Sequence, residues 1–231
     1  MRFDILSLFP GYFTGPFDES MIKRARESGI IDICLVDIRD FADNRHQRVD
    51  DRPYGGGPGM VMMPVPVAAA IRQAKTSESR VIYLSPQGTP LTAAKSRQLA
   101  KEKHLILLCG HYEGIDQRVI DSDVDEEISI GDYVLTNGCL AAIVLLDSVI
   151  RFIPGVLGHA KAAEEDSFEN GLLDCPHYTR PEIFENQAVP SVLLSGNHKE
   201  IDKWRHEQAV KKTKEVRPEF LTKFIKMVEE N

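Results

Sequence analysis

Short apolar runs alternate with segments of helical period over the first 150 residues. Phe3 to Phe9 predicts a buried strand ending in a turn at Pro10-Gly11. Met21 to Ser28 predicts a helix stopped by Gly29, and Ile31 to Ile38 a second strand. The pattern then lapses: Phe41 to Pro66 is polar, then rich in glycine and proline, with no period, as in a functional or mobile loop. Order returns with a helix over Val67 to Lys75 and a strand over Val81 to Leu84, which the breaker Ser85-Pro86-Gln87-Gly88 should end. A helix from Thr92 to about Lys103 and a strand over Leu105 to Cys109 follow. Ile115 to Ile120 predicts a short helix, Glu127 to Ile130 a strand ending in Gly131-Asp132, and Leu140 to Phe152 a long apolar helix. Strands that are apolar throughout and alternate with helices define an α/β fold: a parallel sheet with helices on both faces.

Further along, Ala160 to Asn170 turns acidic and small, as a linker would. Asn197 with Glu200 has the spacing of a capping box, predicting a helix to Glu215, and Pro218 suits the first turn of another. The chain therefore divides into a main domain over 1–159, a flexible linker over 160–171 and a small all-helical domain over 172–231.

Composition narrows the classes. A chain of 231 residues, 42% hydrophobic, can bury a sizeable core and is not a disordered segment. A net charge of −7 argues against coating nucleic acid by bulk electrostatics, but leaves room for a local basic patch. Cys34, Cys109, Cys139 and Cys175 form no C-x-x-C pair and no zinc spacing; the three in apolar runs read as buried free thiols. The first residues do not read as a signal peptide, and the run Leu140 to Val149, broken by Asp147, is too short for a bilayer. A reducing cytoplasm is the expected setting.

Three strand-to-loop junctions carry the candidate chemistry: Leu84 to Gly88, Cys109 to Gly114, and Ile130 to Tyr133. Open α/β sheets bind ligands beyond the carboxyl ends of their strands, and glycine there lets backbone approach a ligand closely. One such glycine can serve only a turn; three together favour a pocket. Arg52 to Met60 is no phosphate loop, since it lacks both the Lys-Ser/Thr ending and G-x-G-x-x-G spacing, and reads as a lid or irregular turn. Arg151, at the end of the long helix, is accounted for by the helix dipole alone, and Asp166 by a solvated charge run. From Lys199 onward, nine Lys or Arg face seven Asp or Glu, with a cluster at Lys211, Lys212 and Lys214; a charged surface helix and an RNA-backbone contact both fit. Trp204, three residues after Ile201, reads as core.

With these residues in view, the chain resembles the bacterial tRNA (guanine-N1)-methyltransferases of the trefoil-knotted SPOUT class. The resemblance rests on Phe3 to Phe13, Asp51 to Met60, Leu84 to Gly88, Gly110 to Asp116, Ile130 to Leu135, Asp147 to His159, Glu165 to Phe168, Gly171 to Pro181 and Val189 to His198, in order over nearly the whole chain. It implies a trefoil knot at the C-terminal end of the main domain and a homodimer whose active sites are built from both chains. It implies S-adenosyl-L-methionine as methyl donor, with magnesium assisting at ligands that cannot be named. The donor positions it carries over are Tyr83, Leu84, Ser85, Pro86 and Gln87; Gly110, Tyr112, Glu113 and Gly114; and Ile130, Gly131, Tyr133, Leu135 and Gly138. A donor without phosphates suits loops that read adenine by backbone groups, with Glu113 favouring its positive charge. Two departures stand out: Asn137-Gly138-Cys139-Leu140-Ala141 replaces the usual Gly-Gly-Glu-Leu-Pro, and His111 stands where many members carry Arg. Asn at 137 would tolerate a left-handed turn.

The reaction implied is methylation of N1 of the guanosine 3′ of the anticodon (position 37) in tRNA. The resemblance assigns Asp166 as general base for the N1 proton and Arg151 to the charge that develops on O6. Tyr54, Gly59, His177 and Tyr178 are candidate tRNA contacts, and the helical domain would hold the anticodon stem. Three rivals remain: a knotted methyltransferase acting on a ribose hydroxyl or another base, a nucleotide-dependent oxidoreductase, and a non-catalytic RNA-binding module. The absence of G-x-G-x-x-G after the first strand disfavours the second.

Overall fold

The apolar runs become β1 (Arg2–Ser7), β2 (Asp32–Asp37), β5 (Ser79–Pro90), β6 (His104–Cys109) and β7 (Glu126–Ser129), in one sheet of order β2-β1-β6-β5-β7. Every pairing in it is parallel. The computed structural model describes residues 1–158, 163, 166–221 and 224, and its chain forms two units, 1–158 and 159–231.

Because successive strand residues point to opposite faces, the sheet carries two cores. On one face Phe3, Ile5, Ile82, Leu105 and Leu107 pack against α1 (Ser20–Glu27), α3 (Ala93–Leu99) and α5 (Cys139–Ile150). On the other, Leu6, Val81, Tyr83, Ile106 and Leu108 pack against α2 (Pro64–Ala74) and α4 (Gln117–Asp123). The expected helices on both faces are present. Helix α3 starts where expected, with the Thr92 hydroxyl accepting from the Lys95 N–H, but ends at Leu99. Helix α5 buries Ala142, Leu145, Leu146, Val149 and Ile150, each larger side chain contributing about 1.5–3 kcal/mol. Its outer stripe is different: Leu140, Val144 and Asp147 are exposed, and Arg151 continues their four-three-four spacing at the C-cap.

Several expectations are corrected. Pro10-Gly11 opens a short 3-10 helix, Pro10–Phe13, rather than a simple turn. The Phe41 to Pro66 stretch contains a minimal antiparallel pair, β3 (Asp50–Asp51) with β4 (Val61–Met62), and α2 begins inside its end at Pro64. Strand β2 is not apolar-buried: it is an edge strand, much of it exposed, so Cys34 is exposed while Cys109 and Cys139 are buried.

Ser85-Pro86-Gln87-Gly88 does not end its strand. Leu84 and Thr89 both pair with Ile128, so residues 85–88 bulge out and β5 resumes to Pro90. Proline is tolerated at such a bulge because no ladder hydrogen bond needs its missing N–H. Gly88 is there for space: a Cβ would collide with the backbone of Glu127 and Ile128. Gly88→Ala is therefore expected to cost about 1–3 kcal/mol through overpacking against backbone. A lowered denaturant midpoint with unchanged slope would show it; an unchanged midpoint would refute it.

The second unit is built on α7 (His198–Val216), started as expected by Asn197, whose side chain accepts from the Glu200 N–H. Helix α7 buries Ile201, Ala209 and Thr213, and the Thr213 hydroxyl donates to the Ala209 carbonyl while accepting from the Leu173 N–H. Trp204 is half-buried, 6.2 Å from the Tyr178 ring. Residues 218–221 are helical as expected from Pro218. The unit is not all-helical, however. Besides the short α6 (Ser191–Leu194), it holds a hairpin of β8 (Ile183–Phe184) and β9 (Gln187–Ala188). Of the expected linker, residues 160–162, 164 and 165 lie outside the described residues.

Candidate active site

At the carboxyl ends of β5, β6 and β7 the three junctions converge on one cavity of about 200 Å³. Its lining includes Tyr83, Leu84 and Pro86 from the first junction, and Gly110, Tyr112, Glu113 and Gly114 from the second. The third adds Ile130, Gly131, Tyr133, Leu135 and Gly138. All the sequence-predicted donor positions line it except Ser85 and Gln87. Ser85 is buried, its hydroxyl accepting from the Gln87 N–H at 3.2 Å within the bulge, and Gln87 is exposed. His111, Ser129, Val134, Thr136, Asn137 and Ala141 also line the cavity and were not assigned from sequence; their adjacency to the glycine junctions is the signal that would have found them.

The walls are locked by close backbone approach. The Gly138 N–H donates to the Gly110 carbonyl at 2.8 Å, tying the third junction to the second. A Cβ on Gly138 would lie 2.9 Å from the Gly110 nitrogen and 3.0 Å from the Cys109 Cα; one on Gly110 would lie 2.8 Å from the Tyr83 hydroxyl. Asn137 is not left-handed. Instead its side-chain oxygen accepts from the Cys139 N–H at 2.8 Å, capping α5 in place of a special turn. Tyr112 takes the left-handed conformation, φ 59°, uncommon for a tyrosine and a mark of local strain in a cavity wall.

The glycine-rich segment reaches this site too. The Glu113 N–H donates to the Met60 carbonyl at 3.0 Å and the Met62 N–H to the Gly114 carbonyl at 2.9 Å. Any side chain at Gly59 would strike Glu113. Tyr54 at the tip of the segment is 100% exposed.

Electrostatically the cavity is unusual for a nucleotide site: no lysine or arginine is among the described residues lining it, and Glu113 supplies the carboxylate. Burial, then the nearby Arg39 charge, lowers the His111 pKa, so its imidazole is neutral at pH 7. Its Nδ1 is buried without a protein partner, a polar atom in a wall of the cavity. Burial, helped by the Glu127 charge, pushes the Tyr83 phenol up to about 12, so it stays protonated. Beneath the floor, a hydrogen bond from Cys109 brings Cys139 down to about 7 against the effect of burial, and the Ser7 hydroxyl lies 3.2 Å from its sulfur.

Arg151 is half-buried at the C-cap of α5. In the second unit, Asp166 borders a concavity shared with Asp174, Cys175 and His177. The His177 imidazole is exposed and hydrogen-bonds Asp174 at 2.8 Å.

Gly138→Ala tests the wall directly. Its methyl must push the second and third junctions apart, a cost of about 1–3 kcal/mol; falling on the bound state, that cost is equivalent to roughly 5–150-fold weaker ligand binding. Calorimetric titration with S-adenosylmethionine reads this; wild-type affinity would show that the cavity is not the donor site.

Fold and cavity together define a class: an α/β protein with a glycine-walled cavity beyond the carboxyl ends of its parallel strands. Residues 1–223 match the family model described as tRNA (Guanine-1)-methyltransferase TrmD, and the chain belongs to that family. It is 76% identical over 221 residues to the tRNA (guanine-N(1)-)-methyltransferase of Protochlamydia amoebophila, covering 96% of this chain and 100% of that protein. It is 58% and 54% identical to the proteins of the same name from Chlamydia pneumoniae and Chlamydia caviae, covering 97% of this chain but only 62% and 63% of theirs.

Proposed function

We propose that this protein transfers a methyl group from S-adenosyl-L-methionine to N1 of the guanosine 3′ of the anticodon, position 37, in tRNA. The observation that carries the reading is the cavity built by three glycine junctions, with a carboxylate and no lysine or arginine among its described lining residues, in a chain of this family. Such a lining suits a sulfonium cofactor: apolar walls from Leu84, Ile130 and Leu135, glycine junctions that let backbone approach a base, and Glu113 for the positive charge. When bound, that cofactor supplies an electrophilic methyl group.

The remaining work falls to the protein. Guanine N1 carries a proton at neutral pH, so a base must remove it; Asp166 is assigned that role. Negative charge then spreads to O6, where the Arg151 guanidinium is assigned to stabilise it. Tyr54, Gly59 and His177 are assigned to tRNA, and the second unit, with Lys211, Lys212 and Lys214 on α7, to the anticodon stem. Magnesium prefers oxygen ligands. Among the described residues, the cluster of three candidate metal ligands contains a thiol and an imidazole, which does not fit it, and no step is routed through that ion.

A homodimer with shared active sites belongs to the same reading. Its support is the outward stripe Leu140, Val144, Asp147 and Arg151, together with the exposed apolar side chains of Tyr133 and Val134, the latter 82% exposed. The trefoil knot is supported by the tight return of the Gly138 segment onto Gly110 and of Gly88 onto β7. No helix among the described residues is long and apolar enough to cross a membrane.

The test is incubation with labelled donor and unmodified tRNA, then nucleoside analysis. N1-methylguanosine that disappears when guanosine 37 is replaced is the expected product. Label on a ribose or another base would establish the rival knotted-methyltransferase reading instead.

A further inference from the structure

The second unit brings three different metal-binding chemistries together, in residues that line no part of the first unit's cavity but share a concavity with Asp166: a carboxylate, a thiol and an imidazole. The ligand atoms of Asp174, Cys175 and His177 all lie within 4.8 Å of one another. The segment arranges them locally. The Cys175 N–H donates to Asp174 Oδ1 at 2.7 Å, which fixes the carboxylate and turns Oδ2 toward His177 Nε2, 2.8 Å away. Ligand atoms around a tetrahedral zinc ion, at about 2.0–2.3 Å from the metal, stand roughly 3.3–3.7 Å apart. Only a slight opening of the Asp174–His177 pair and an inward turn of the thiol separate the present arrangement from that geometry. The cluster borders a concavity of about 500 Å³ that α7 lines with Asp202, Arg205 and His206. Arg205, whose charge would oppose a cation, is itself paired with Asp202 at 3.7 Å.

The geometry points to a binding site for a zinc-class divalent ion held by Asp174, Cys175 and His177, with its fourth position open to the concavity. Thiolate and imidazole select a borderline-soft metal over magnesium or calcium, which prefer all-oxygen shells. On binding, the Cys175 thiol releases its proton to solvent and the hydrogen bond between Asp174 and His177 gives way to two bonds to the metal. Three protein ligands leave one position for water or another small ligand, unlike a closed four-ligand structural site. The cysteine, the local carboxylate and the exposed imidazole are in sequence as Asp-Cys-Pro-His, a spacing that matches none of the recurrent paired-cysteine zinc patterns.

The test uses the reduced full-length protein, stripped of metal and titrated with Co2+ in the absence of RNA and donor. It is therefore independent of whether methyl transfer occurs. One equivalent of Co2+ is expected to produce sulfur-to-cobalt charge-transfer absorption in the near ultraviolet and visible bands of four-coordinate intensity, both displaced by Zn2+. Cys175→Ser should abolish the charge-transfer band, and His177→Gln should weaken Co2+ binding by at least about tenfold. Circular dichroism confirms folding; should Cys175→Ser not fold, Asp174→Asn and His177→Gln carry the test through affinity. A band that is absent in the wild-type protein, or that survives Cys175→Ser and vanishes in Cys34→Ser, overturns the assignment. Unchanged affinity in both Asp174→Asn and His177→Gln overturns it as well.

Discussion

Asp166→Ala is expected to lower the single-turnover rate of methyl transfer by about 10²–10⁴-fold, the range a positioned general base contributes, while donor affinity stays within a factor of two. The split follows from where the residue sits. The cavity proposed for the donor is lined wholly by residues of the first unit, Tyr83 to Ala141, whereas Asp166 belongs to the second. Removing its carboxylate deletes no wall of that cavity. On the proposed reading it deletes the group that takes the N1 proton before the ring nitrogen attacks. The pair of measurements is rapid-quench transfer from labelled donor and calorimetric donor binding. A large loss of donor affinity with the rate in saturated enzyme preserved would remove Asp166 from proton transfer and make it a binding residue. Asp166→Asn sharpens the test: an amide of nearly the same shape keeps the local packing but cannot accept the proton, so it should be as slow as alanine.

How much of this was legible depends on where each residue's constraint comes from. Strands β1 and β6, buried on nearly all sides, and helix α5, buried along its inner faces, were readable because the chain must spell that burial out in apolar residues. Strand β2 has the same apolar look, yet it forms an edge, and nothing in Asp32 to Asp37 announces which side stays uncovered. The β8–β9 hairpin was missed for a different reason. Its strands are two residues each, too short for alternation, and its turn uses Glu185 and Asn186, both at positive φ, where glycine would have been the readable sign. Gly88 illustrates the converse: read as a breaker, it is a spacer that lets β5 bulge past β7 and continue.

The cavity at the strand ends was legible because glycine at three strand ends is a local signal that adds up. The contribution of Met60 to Met62 was not, since its pairing with Glu113 to Asp116 joins segments some fifty residues apart. Asn137 shows how a departure from a family pattern can be absorbed: its side chain caps α5, a role visible only once the Cys139 N–H is in place. Asp166 and Arg151 were not selected by any pattern in the chain. A charge-rich segment and a helix end each explain them locally, and only the family resemblance gave them chemistry.

Arg151→Ala is expected to slow transfer by about 10²–10³-fold, as loss of one oriented donor to a developing oxyanion does, with donor affinity again near wild type. The geometry adds a sharper consequence. Helix α5 begins at the wall of the donor cavity, Gly138 to Ala141, and ends at Arg151. Twelve helical residues at 1.5 Å each separate the two ends by about 18 Å, well beyond the reach of an arginine side chain. On the proposed reading Arg151 must therefore serve the cavity of a partner chain, toward which its stripe with Leu140, Val144 and Asp147 faces. Arg151→Ala and Gly138→Ala chains, each impaired alone at a donor concentration that saturates only the unaltered cavity, should then recover activity when co-expressed: the first keeps an intact cavity and the second an intact arginine. If each arginine served its own chain, neither partner in the mixed dimer would hold a complete site. Verified mixed dimers without recovered transfer would exclude the shared arrangement, and an unchanged single-turnover rate in Arg151→Ala alone would take the residue out of the chemistry.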